Sequence, residues 1–410
     1  MSGKSMRRTT GLTRGHGRLA RSAILIAPAL AVLAGLAAGV PAASAVTGHV
    51  SAARASRGCL HATGPFRVDG TEVIGAGNRV FVPYGTTVPG LANVITKRNE
   101  QGKPTNGWPV TEPADLRKIN ATASSWCGNT VRLQISQDNL LGDLGKSFST
   151  AYMNAIKKEV ALAEHDHLVV VINDQTETSN LSFQLAPTPG TETFWKDIIK
   201  VYGSDKQVIF DLFNEPRLTG LSGSAMWRTW NAGGSYLGRN YVGMAKLARD
   251  LRAVDKRNLF WVEGPDYADT FAGMERDHAL LSTSGVVYAI HHPHGDHKTA
   301  TWYDDFGYLV NTHVAPVVIG EWTNYRPIKN PNSECWGNAP TKVPVFLRYL
   351  AGHGIGMTAY QLANGLLTTS DQDLATTTSF QHGWTCQVSP KPTNEGAGQL
   401  IKAWFKAHNS

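Results

Sequence analysis

Two glutamates stand at the ends of apolar runs, where parallel strands would present them on one face. Glu215 follows the run VIFDLFN and precedes Pro216, which cannot continue a strand ladder and favours extended geometry at Glu215. Glu321 follows the run PVVIG in the same way. A single glutamate at a strand end is commonly a rim ion pair or a helix cap. Two in matching positions can divide acid/base and nucleophilic work on a glycosidic bond between them.

Short apolar, β-branched runs and helical patterns alternate along the chain. The runs are candidate strands, and they lie at 79–84, 130–135, 168–172, 207–213, 258–263, 286–290, 316–320 and 355–361. The patterns between them predict helices at 114–126, 151–165, 191–202, 241–254, 270–281, 302–313, 342–353 and 398–407. Because the runs lack polar alternation, both faces of each strand are expected to be buried, as in a parallel sheet.

This alternation predicts an α/β fold, the (β/α)8 TIM barrel, with a short N-terminal hairpin at 59–78 that caps its lower end. An open doubly wound sheet would carry a glycine-rich phosphate loop after its first strand, and GTTVPG at 85–90 lacks that pattern. The interval between Glu215 and Glu321 fits three strand–helix units of roughly 35 residues each. Both glutamates are therefore expected at the carboxyl ends of strands, after the fourth and the seventh, where barrel active sites lie.

The N-terminal residues have the pattern of an export signal. Basic residues precede an apolar run from Ala23 to Val40, and the small residues Ala43-Ser44-Ala45 end it, which predicts a signal peptide at 1–45. A membrane anchor is the alternative, but the run is short, rich in alanine and interrupted by a proline. Residues 46–64 are expected to form a flexible segment, and 65–410 a single catalytic domain.

Charge and export together exclude some partners. The net charge is +7, and because six basic residues and no acid lie in the leader, removal of the leader brings it near +1. The basic pI therefore gives no support for nucleic-acid binding. The mature chain is predicted to be secreted, extracellular, monomeric and free of the membrane.

The four cysteines are Cys59, Cys127, Cys335 and Cys386. An even number in an exported chain predicts two disulfides, with three possible connectivities. Sequential pairing is favoured because each bridge would then staple one end of the chain. Free buried thiols are the alternative, and the spacing is unlike a zinc site.

Four motifs in order resemble glycoside hydrolase family 5, the cellulase family, over roughly residues 65–405. They are GNTVRLQIS (128–136), FDLFNEP (210–216), VVYAIHHP (286–293) and VVIGEW (317–322). The resemblance implies a retaining double displacement, with Glu215 as the acid/base and Glu321 as the nucleophile. Glu215 then needs a raised pKa, and Glu321 must stay ionised.

The resemblance also implies binding roles for three further residues. Arg132 resembles the family arginine that keeps the nucleophile charged, since a neighbouring cation lowers the pKa of a carboxylate. Asn214 matches the asparagine that binds the sugar 2-hydroxyl. His291 matches a sixth-strand histidine that lines the site.

Three positions depart from the family pattern. The sixth-strand His-x-Tyr reads His291-His292-Pro293, so the tyrosine that bonds the nucleophile is missing. Asn173 or Asp174 stands where the third strand usually ends near a histidine. Tyr360 replaces the tryptophan that forms the sugar floor after the eighth strand, and its ring can still stack on a sugar.

Two further predictions concern aromatic residues and metals. Trp322 and Trp336, after Glu321, are the candidates for lining a sugar groove. The run HHPHGDH at 291–297 contains metal-ligand types, but it lacks a helical i, i+4 frame, and its first residue is already explained by the sixth strand. No metal and no organic cofactor is expected.

The sequence thus predicts a retaining β-glycosidase whose partner is a polysaccharide or oligosaccharide substrate, with an endo-β-1,4-glucanase favoured. A β-mannanase, or an exo-acting enzyme that cleaves a disaccharide glycoside or a glycolipid, is the alternative. A non-catalytic carbohydrate-binding barrel is the alternative of another class, motivated by the missing tyrosine and histidine.

Overall fold

The computed structural model describes residues 58–92, 113–141, 149–175, 185–218, 220–293, 299–331 and 335–410. The predicted signal peptide at 1–45, and residues 46–57 after it, lie outside these ranges. Within the described ranges, no helix combines the length and the apolar character that crossing a membrane requires.

Eight parallel strands close into a barrel, which confirms the predicted fold. Within the described ranges, two antiparallel hairpins lie outside it, β1–β2 and β7–β8, and the last barrel strand pairs with the first. In chain order the strands are β1 (Arg67–Asp69), β2 (Glu72–Ile74), β3 (Tyr84–Val88), β4 (Thr130–Ile135), β5 (Val169–Asp174), β6 (Val208–Asp211), β7 (Gly234–Tyr236), β8 (Arg239–Tyr241), β9 (Phe260–Glu263), β10 (Val286–Ile290), β11 (Val317–Trp322) and β12 (Gly356–Ala359).

Helices surround the barrel and cover the outward side chains of its strands. They are α1 (Pro113–Ser124), α2 (Gln137–Leu141), α3 (Thr150–His165), α4 (Pro189–Tyr202), α5 (Gly223–Ala232), α6 (Met244–Val254), α7 (Thr299–Trp302), α8 (Tyr308–Asn311), α9 (Ala339–Gly352) and α10 (Gly398–His408). A π-helical turn at Tyr303–Gly307 joins α7 to α8. Local sequence sets several starts: Ser149 caps α3 by accepting a hydrogen bond from Tyr152 N, and Pro189 opens α4 after a Thr188 capping box.

The apolar side chains of the strands alternate between two cores, one inside the barrel and one outside it. An inner core contains Val171, Ile209 and Val287 from the strands, and Phe66 and Phe81 from the N-terminal cap. The outer core lies between the strands and the helices. The hairpin β1–β2 therefore closes the lower end of the barrel, as the sequence predicted, and leaves the carboxyl ends of the strands for the site.

Several elements differ from the sequence prediction. The first barrel strand begins at Tyr84, where the predicted run ends, because Phe81 in that run packs on Phe66 beneath the barrel at 4.6 Å between ring centroids. The helix predicted at 270–281 is wrong, because Gly273 (φ +85°) and His278 (φ +54°) turn the chain repeatedly there. Helix α5 and hairpin β7–β8 were not predicted.

Both disulfides have the predicted sequential connectivity, Cys59–Cys127 and Cys335–Cys386. The first ties residues 58–64, which the sequence placed in a flexible segment, to the barrel. Leu60 N also donates to Asn409 O (2.8 Å), and Gly64 N donates to Gln207 Oε1 (2.7 Å). These residues therefore belong to the barrel's lower end.

The Cys59–Cys127 bridge is expected to contribute strongly to stability, because it spans 68 residues of chain. In the chain-entropy account, a loop of this size is worth about 4 kcal/mol of unfolding free energy. We expect the double variant Cys59→Ala/Cys127→Ala to unfold at clearly lower denaturant concentration than wild type. Cys335→Ala/Cys386→Ala, which opens a loop of 51 residues, is the matched comparison and should lose a similar amount. An unchanged midpoint in the first variant would contradict the stapling role.

Candidate active site

The buried guanidinium of Arg132 lies at the centre of the site. On β4, its Nε donates to Asp211 Oδ2 (2.8 Å) and its Nη1 to Glu321 Oε2 (2.7 Å). Its Nη2 donates to Asn214 Oδ1 (2.6 Å) and to Glu263 Oε1 (3.1 Å). Burial acts to lower the pKa of this arginine, but the three carboxylates outweigh burial and raise it. Arg132 is therefore a permanent cation that holds two of the predicted site residues, Asn214 and Glu321.

Glu321 reaches the site because β11 contains a register irregularity. The pairing of β11 with β12 shifts between Ile319 and Trp322. Val318 belongs to the inner core and Ile319 to the outer core, so unbroken alternation would turn Glu321 outward. The irregularity instead places Glu321 against Arg132, in the way that a bulge re-aims side chains. Gly320 fits here because a Cβ atom would lie 2.8 Å from His291 Nε2.

A second donor holds the Glu321 carboxylate. Gln134 Nε2 donates to Oε2 at 2.7 Å, on the same oxygen that Arg132 binds. The tyrosine that bonds the nucleophile in the family is missing after His291. Gln134 instead supplies the second contact to the Glu321 carboxylate. Gln134 was not among the predicted site residues, although it lies two residues after Arg132 and so on the same face of β4.

The protonation of Glu321 reflects its burial. Burial raises the pKa of Glu321 to about 6, the charges of Glu215 and Glu263 add to this, and Arg132 and His291 act to lower it. The contribution of Glu215 shows that the two predicted glutamates lie within electrostatic reach of one another. Glu321 is mostly ionised at neutral pH and loses its charge below about pH 6.

Glu215 follows β6, the fourth barrel strand, in a strained backbone conformation. Its φ is +43°, which corrects the expectation that Pro216 keeps it extended. Few non-glycine residues adopt positive φ, and such strain persists only where surrounding contacts enforce it. Here Glu215 N donates to Glu263 Oε2 (2.5 Å), and Asn214 N donates to Asp174 O (2.9 Å). Tertiary hydrogen bonds thus override the local preference and set the direction of the side chain.

Two histidines face the carboxyl group of Glu215. Its Oε1 lies 3.1 Å from His291 Nδ1 and 3.4 Å from His292 Nε2. On the far side, His292 Nδ1 contacts Asp269 Oδ1 at 2.7 Å. His291 Nε2 lies 3.0 Å from Glu263 Oε1 but is not aligned for a hydrogen bond, so that contact is electrostatic.

The charge state of Glu215 depends on these histidines. Burial raises the pKa of Glu215, but the hydrogen bond with His291 and the charges of His291, His292 and Arg217 outweigh burial, so the pKa is lowered overall. This direction is opposite to the one expected for an acid, and its cause lies in the hydrogen bond and charges around the carboxyl group, which outweigh burial.

Asp211 and Glu263 complete the buried network, and the sequence analysis did not identify either. Both side chains are fully buried, at the carboxyl ends of β6 and β9. Burial raises the pKa of Asp211 to about 7 and that of Glu263 to about 7, while Arg132 acts to lower both. Glu263 is the last residue of an apolar run, and Glu321 directly follows another. This similarity was the signal for Glu263 available in the sequence.

Tyr360 and Asn173 lie close to this network. Tyr360 directly follows β12, and its pKa is raised by burial and by the negative charges of Glu321 and Glu215, which lie within electrostatic reach of its hydroxyl. Asn173 is fully buried on β5, in register with Gln134 and Asp211. Neither polar atom of its side chain has a hydrogen-bond partner within the described ranges.

The prediction that Trp322 and Trp336 line a sugar groove is wrong. Trp322 is 1% exposed, and its ring packs on Trp336 (4.9 Å between centroids) and Phe346 (5.0 Å) in the outer core. Trp336 is also buried. The irregularity that turns Glu321 inward turns Trp322 outward, so neither ring offers a face to a sugar.

The histidine-rich run at 291–297 falls only partly within the structure. His291 and His292 face carboxylates, while His294, Asp296 and His297 lie outside the described residues. Across the ranges that the structure describes, no group of three or more histidine, cysteine, aspartate or glutamate side chains is arranged to hold a metal ion.

Comparison with known proteins identifies a family for this chain. The family model for cellulase (glycosyl hydrolase family 5) matches residues 92–365. No curated protein sequence matches the chain.

Similar solved structures share the fold at low identity. One is a β-glucanase from Saccharophagus degradans, with 16% identity and a TM-score of 0.59 over 86% of this chain and 95% of that one. Another is the catalytic domain of a Thermobifida fusca endoglucanase in complex with cellotetraose, with 14% identity and a TM-score of 0.55 over 84% of this chain and 98% of that one. A third is the catalytic domain of a mannanase from Streptomyces sp. SirexAA-E, with 14% identity and a TM-score of 0.55 over 88% of this chain and 98% of that one.

The contact between Gln134 and Glu321 can be tested by titration. In carboxyl 13C NMR of glutamate-labelled protein, Glu321 is expected to titrate near pH 6. Gln134→Leu removes a donor that stabilises the charged form, so the pKa of Glu321 should rise by about one pH unit. Gln381→Leu, on an exposed loop, is the control and should change nothing. An unchanged pKa of Glu321 in Gln134→Leu would contradict the role of Gln134 in stabilising the carboxylate.

Proposed function

The chain belongs to glycosyl hydrolase family 5, the cellulase family, and is a glycoside hydrolase; on that premise we propose that it is a retaining endo-β-1,4-glucanase that acts outside the cell. One observation carries the proposal: Glu215 and Glu321, from the fourth and seventh barrel strands, meet in one network around Arg132. Glu321 joins it through its carboxylate, and Glu215 joins it through its backbone N–H and its neighbour Asn214. Retention uses such a pair as acid/base and nucleophile.

Glu321 is proposed as the nucleophile. Arg132 and Gln134 both bind Oε2, which fixes the carboxylate and leaves Oε1 as the oxygen to attack the anomeric carbon. The guanidinium also keeps negative charge on the group above about pH 6. Attack forms a glycosyl–enzyme ester, and the leaving sugar departs with a proton from Glu215.

Glu215 is proposed as the acid/base. It must be protonated when the glycosidic bond breaks. In the second step its carboxylate takes a proton from the water that attacks the ester, so the proton lost in the first step is recovered. The strained backbone of Glu215 fixes its position between these partners.

Asn214 and Tyr360 are proposed to bind the sugar. Because Arg132 binds Oδ1 of Asn214, the amide is oriented with Nδ2 as the donor for the 2-hydroxyl. That contact is expected to strengthen as the transition state forms. Tyr360, beside Glu321, offers a smaller stacking surface than the tryptophan usual in the family.

The substrate class rests on the neighbours as well as on the site. Solved structures of similar fold include β-glucanases and mannanases, so a β-mannan is the second candidate. Secretion is supported by the apolar N-terminal run and by two disulfides, which persist in oxidising compartments.

The experiment that tests the function measures sugar release by the mature chain on cellulose, mixed-linkage glucan, mannan and xylan. We expect wild type to shorten β-1,4-glucan internally and Glu321→Gln to release nothing. NMR of the first product should show the β-anomer, as retention requires. Release from mannan alone would assign the second candidate, and the α-anomer as first product would overturn the retaining mechanism.

The roles of the two glutamates can be separated by the acidity of the leaving group. Glu215→Ala should lose about 10²–10⁴-fold in kcat/KM on a glucan, where the departing sugar needs a proton. On an aryl β-cellobioside with an acidic phenol, the same variant should form the ester almost as fast as wild type, seen as a burst of phenol. Glu321→Gln should show no burst. A burst from Glu321→Gln but none from Glu215→Ala would reverse the assignment.

A further inference from the structure

The carboxyl oxygen Oε1 of Glu215 contacts more groups than the proposed acid/base role of Glu215 requires. Oε1 of Glu215 faces two imidazoles, and each imidazole is backed by a carboxylate, His291 by Glu263 and His292 by Asp269. The two pairs differ in their access to solvent. The side chain of His291 is fully buried, whereas those of His292 and Asp269 are 22% and 27% exposed.

We propose that Asp269 and His292 form a proton-exchanging pair for Glu215, through which the acid/base proton is held and exchanged with solvent. The proposal rests on the assignment of Glu215 as acid/base. His292 acts through Glu215 and is a positioning residue, because it contacts the carboxyl group rather than the reacting bond.

The exchange conserves protons. An imidazolium at His292 gives its Nε2 proton to Glu215 Oε1, which yields neutral imidazole and carboxylic acid. Glu215 then passes a proton to the glycosidic oxygen and becomes a carboxylate. In the second step Glu215 takes a proton from water and can return one to Nε2. Asp269 accepts from Nδ1–H throughout, so the ring keeps Nε2 directed at Glu215.

The loop after β9 is built to hold Asp269 in place. Tyr267 and Ala268 both adopt positive φ, +53° and +57°, which is strained for residues with a Cβ. Hydrogen bonds stabilise this turn: Asp269 N donates to Asp266 O (2.9 Å), and Tyr267 N donates to Pro216 O (3.1 Å). His291 N donates to Ala268 O (3.0 Å), which joins the turn to the end of β10.

Other charges also act on Glu215, and the test must separate them from the pair. His291 and Arg217 lower its pKa together with His292. Glu263 binds its backbone N–H, and Glu321 and Tyr360 lie within electrostatic reach. These groups remain when His292 or Asp269 is replaced. A change in the pH dependence of such a variant is therefore caused by loss of the Asp269–His292 pair.

The first arm of the test is the pH dependence of kcat/KM on a soluble β-glucan. The basic limb reports loss of the last proton shared by Glu215 and His292, which the pair retains to higher pH than either group alone. In His292→Gln and in Asp269→Asn this limb should move to lower pH by about one pH unit. The matched control is His165→Gln, which breaks another His–Asp contact, His165–Asp166, on the exposed end of α3. Variants that lose activity equally at every pH would overturn the proposal.

The second arm does not need turnover. In 15N NMR of the imidazoles, Glu215→Gln removes the anion beside His292, so His292 should titrate at a pH lower by about one unit. An unmoved titration overturns the proposal. If no polysaccharide is cleaved but the His292 titration shifts, the pair stands and the proposed function fails, so the two failures are distinguishable.

Discussion

A single buried cation organises this site. Arg132 is fully buried and pairs with Asp211, Glu263 and Glu321, so removing Arg132 would leave buried carboxylates without a counter-charge. The planar fork of an arginine suits this arrangement, because it donates in several fixed directions at once. Three carboxylates around one guanidinium leave negative charge in excess. Together with burial, this explains why the pKa values of Asp211 and Glu263 lie near 7 and that of Glu321 near 6.

Glu263 carries this constraint to the acid/base position. Its Oε1 accepts from Arg132 and its Oε2 from the backbone N–H of Glu215, so one side chain links the guanidinium to the strained turn. Arg132 in turn binds Glu321 directly and Asn214 beside Glu215. The two glutamates, distant in sequence, are thus held relative to one another by hydrogen bonds below them. The positive φ at Glu215 is enforced by these hydrogen bonds.

The sequence predicted those features that depend on periodicity and local motifs. The eight strands, the strand-end positions of Glu215 and Glu321, and the disulfides followed from run spacing, strand ends and cysteine order, whereas Arg132 was indicated by the resemblance to the family. The predictions that failed in the site depend on the registers between strands. Alternation along β11 gave no sign of the irregularity that turns Glu321 inward and buries Trp322. Glu263 and Gln134 gain their roles only from neighbours on other strands, and a single-strand pattern does not reveal such partners.

The described part of the segment after β10 contacts the acid/base and not the nucleophile. In the family pattern a tyrosine of this segment bonds the nucleophile, but its position is occupied by Pro293, and Gln134 on β4 contacts Glu321. His292, at the middle position of the His-x-Tyr pattern, faces Glu215 with its imidazole. Because an imidazole titrates near neutral pH, the proposed pair makes the proton on Glu215 depend on a second titrating group.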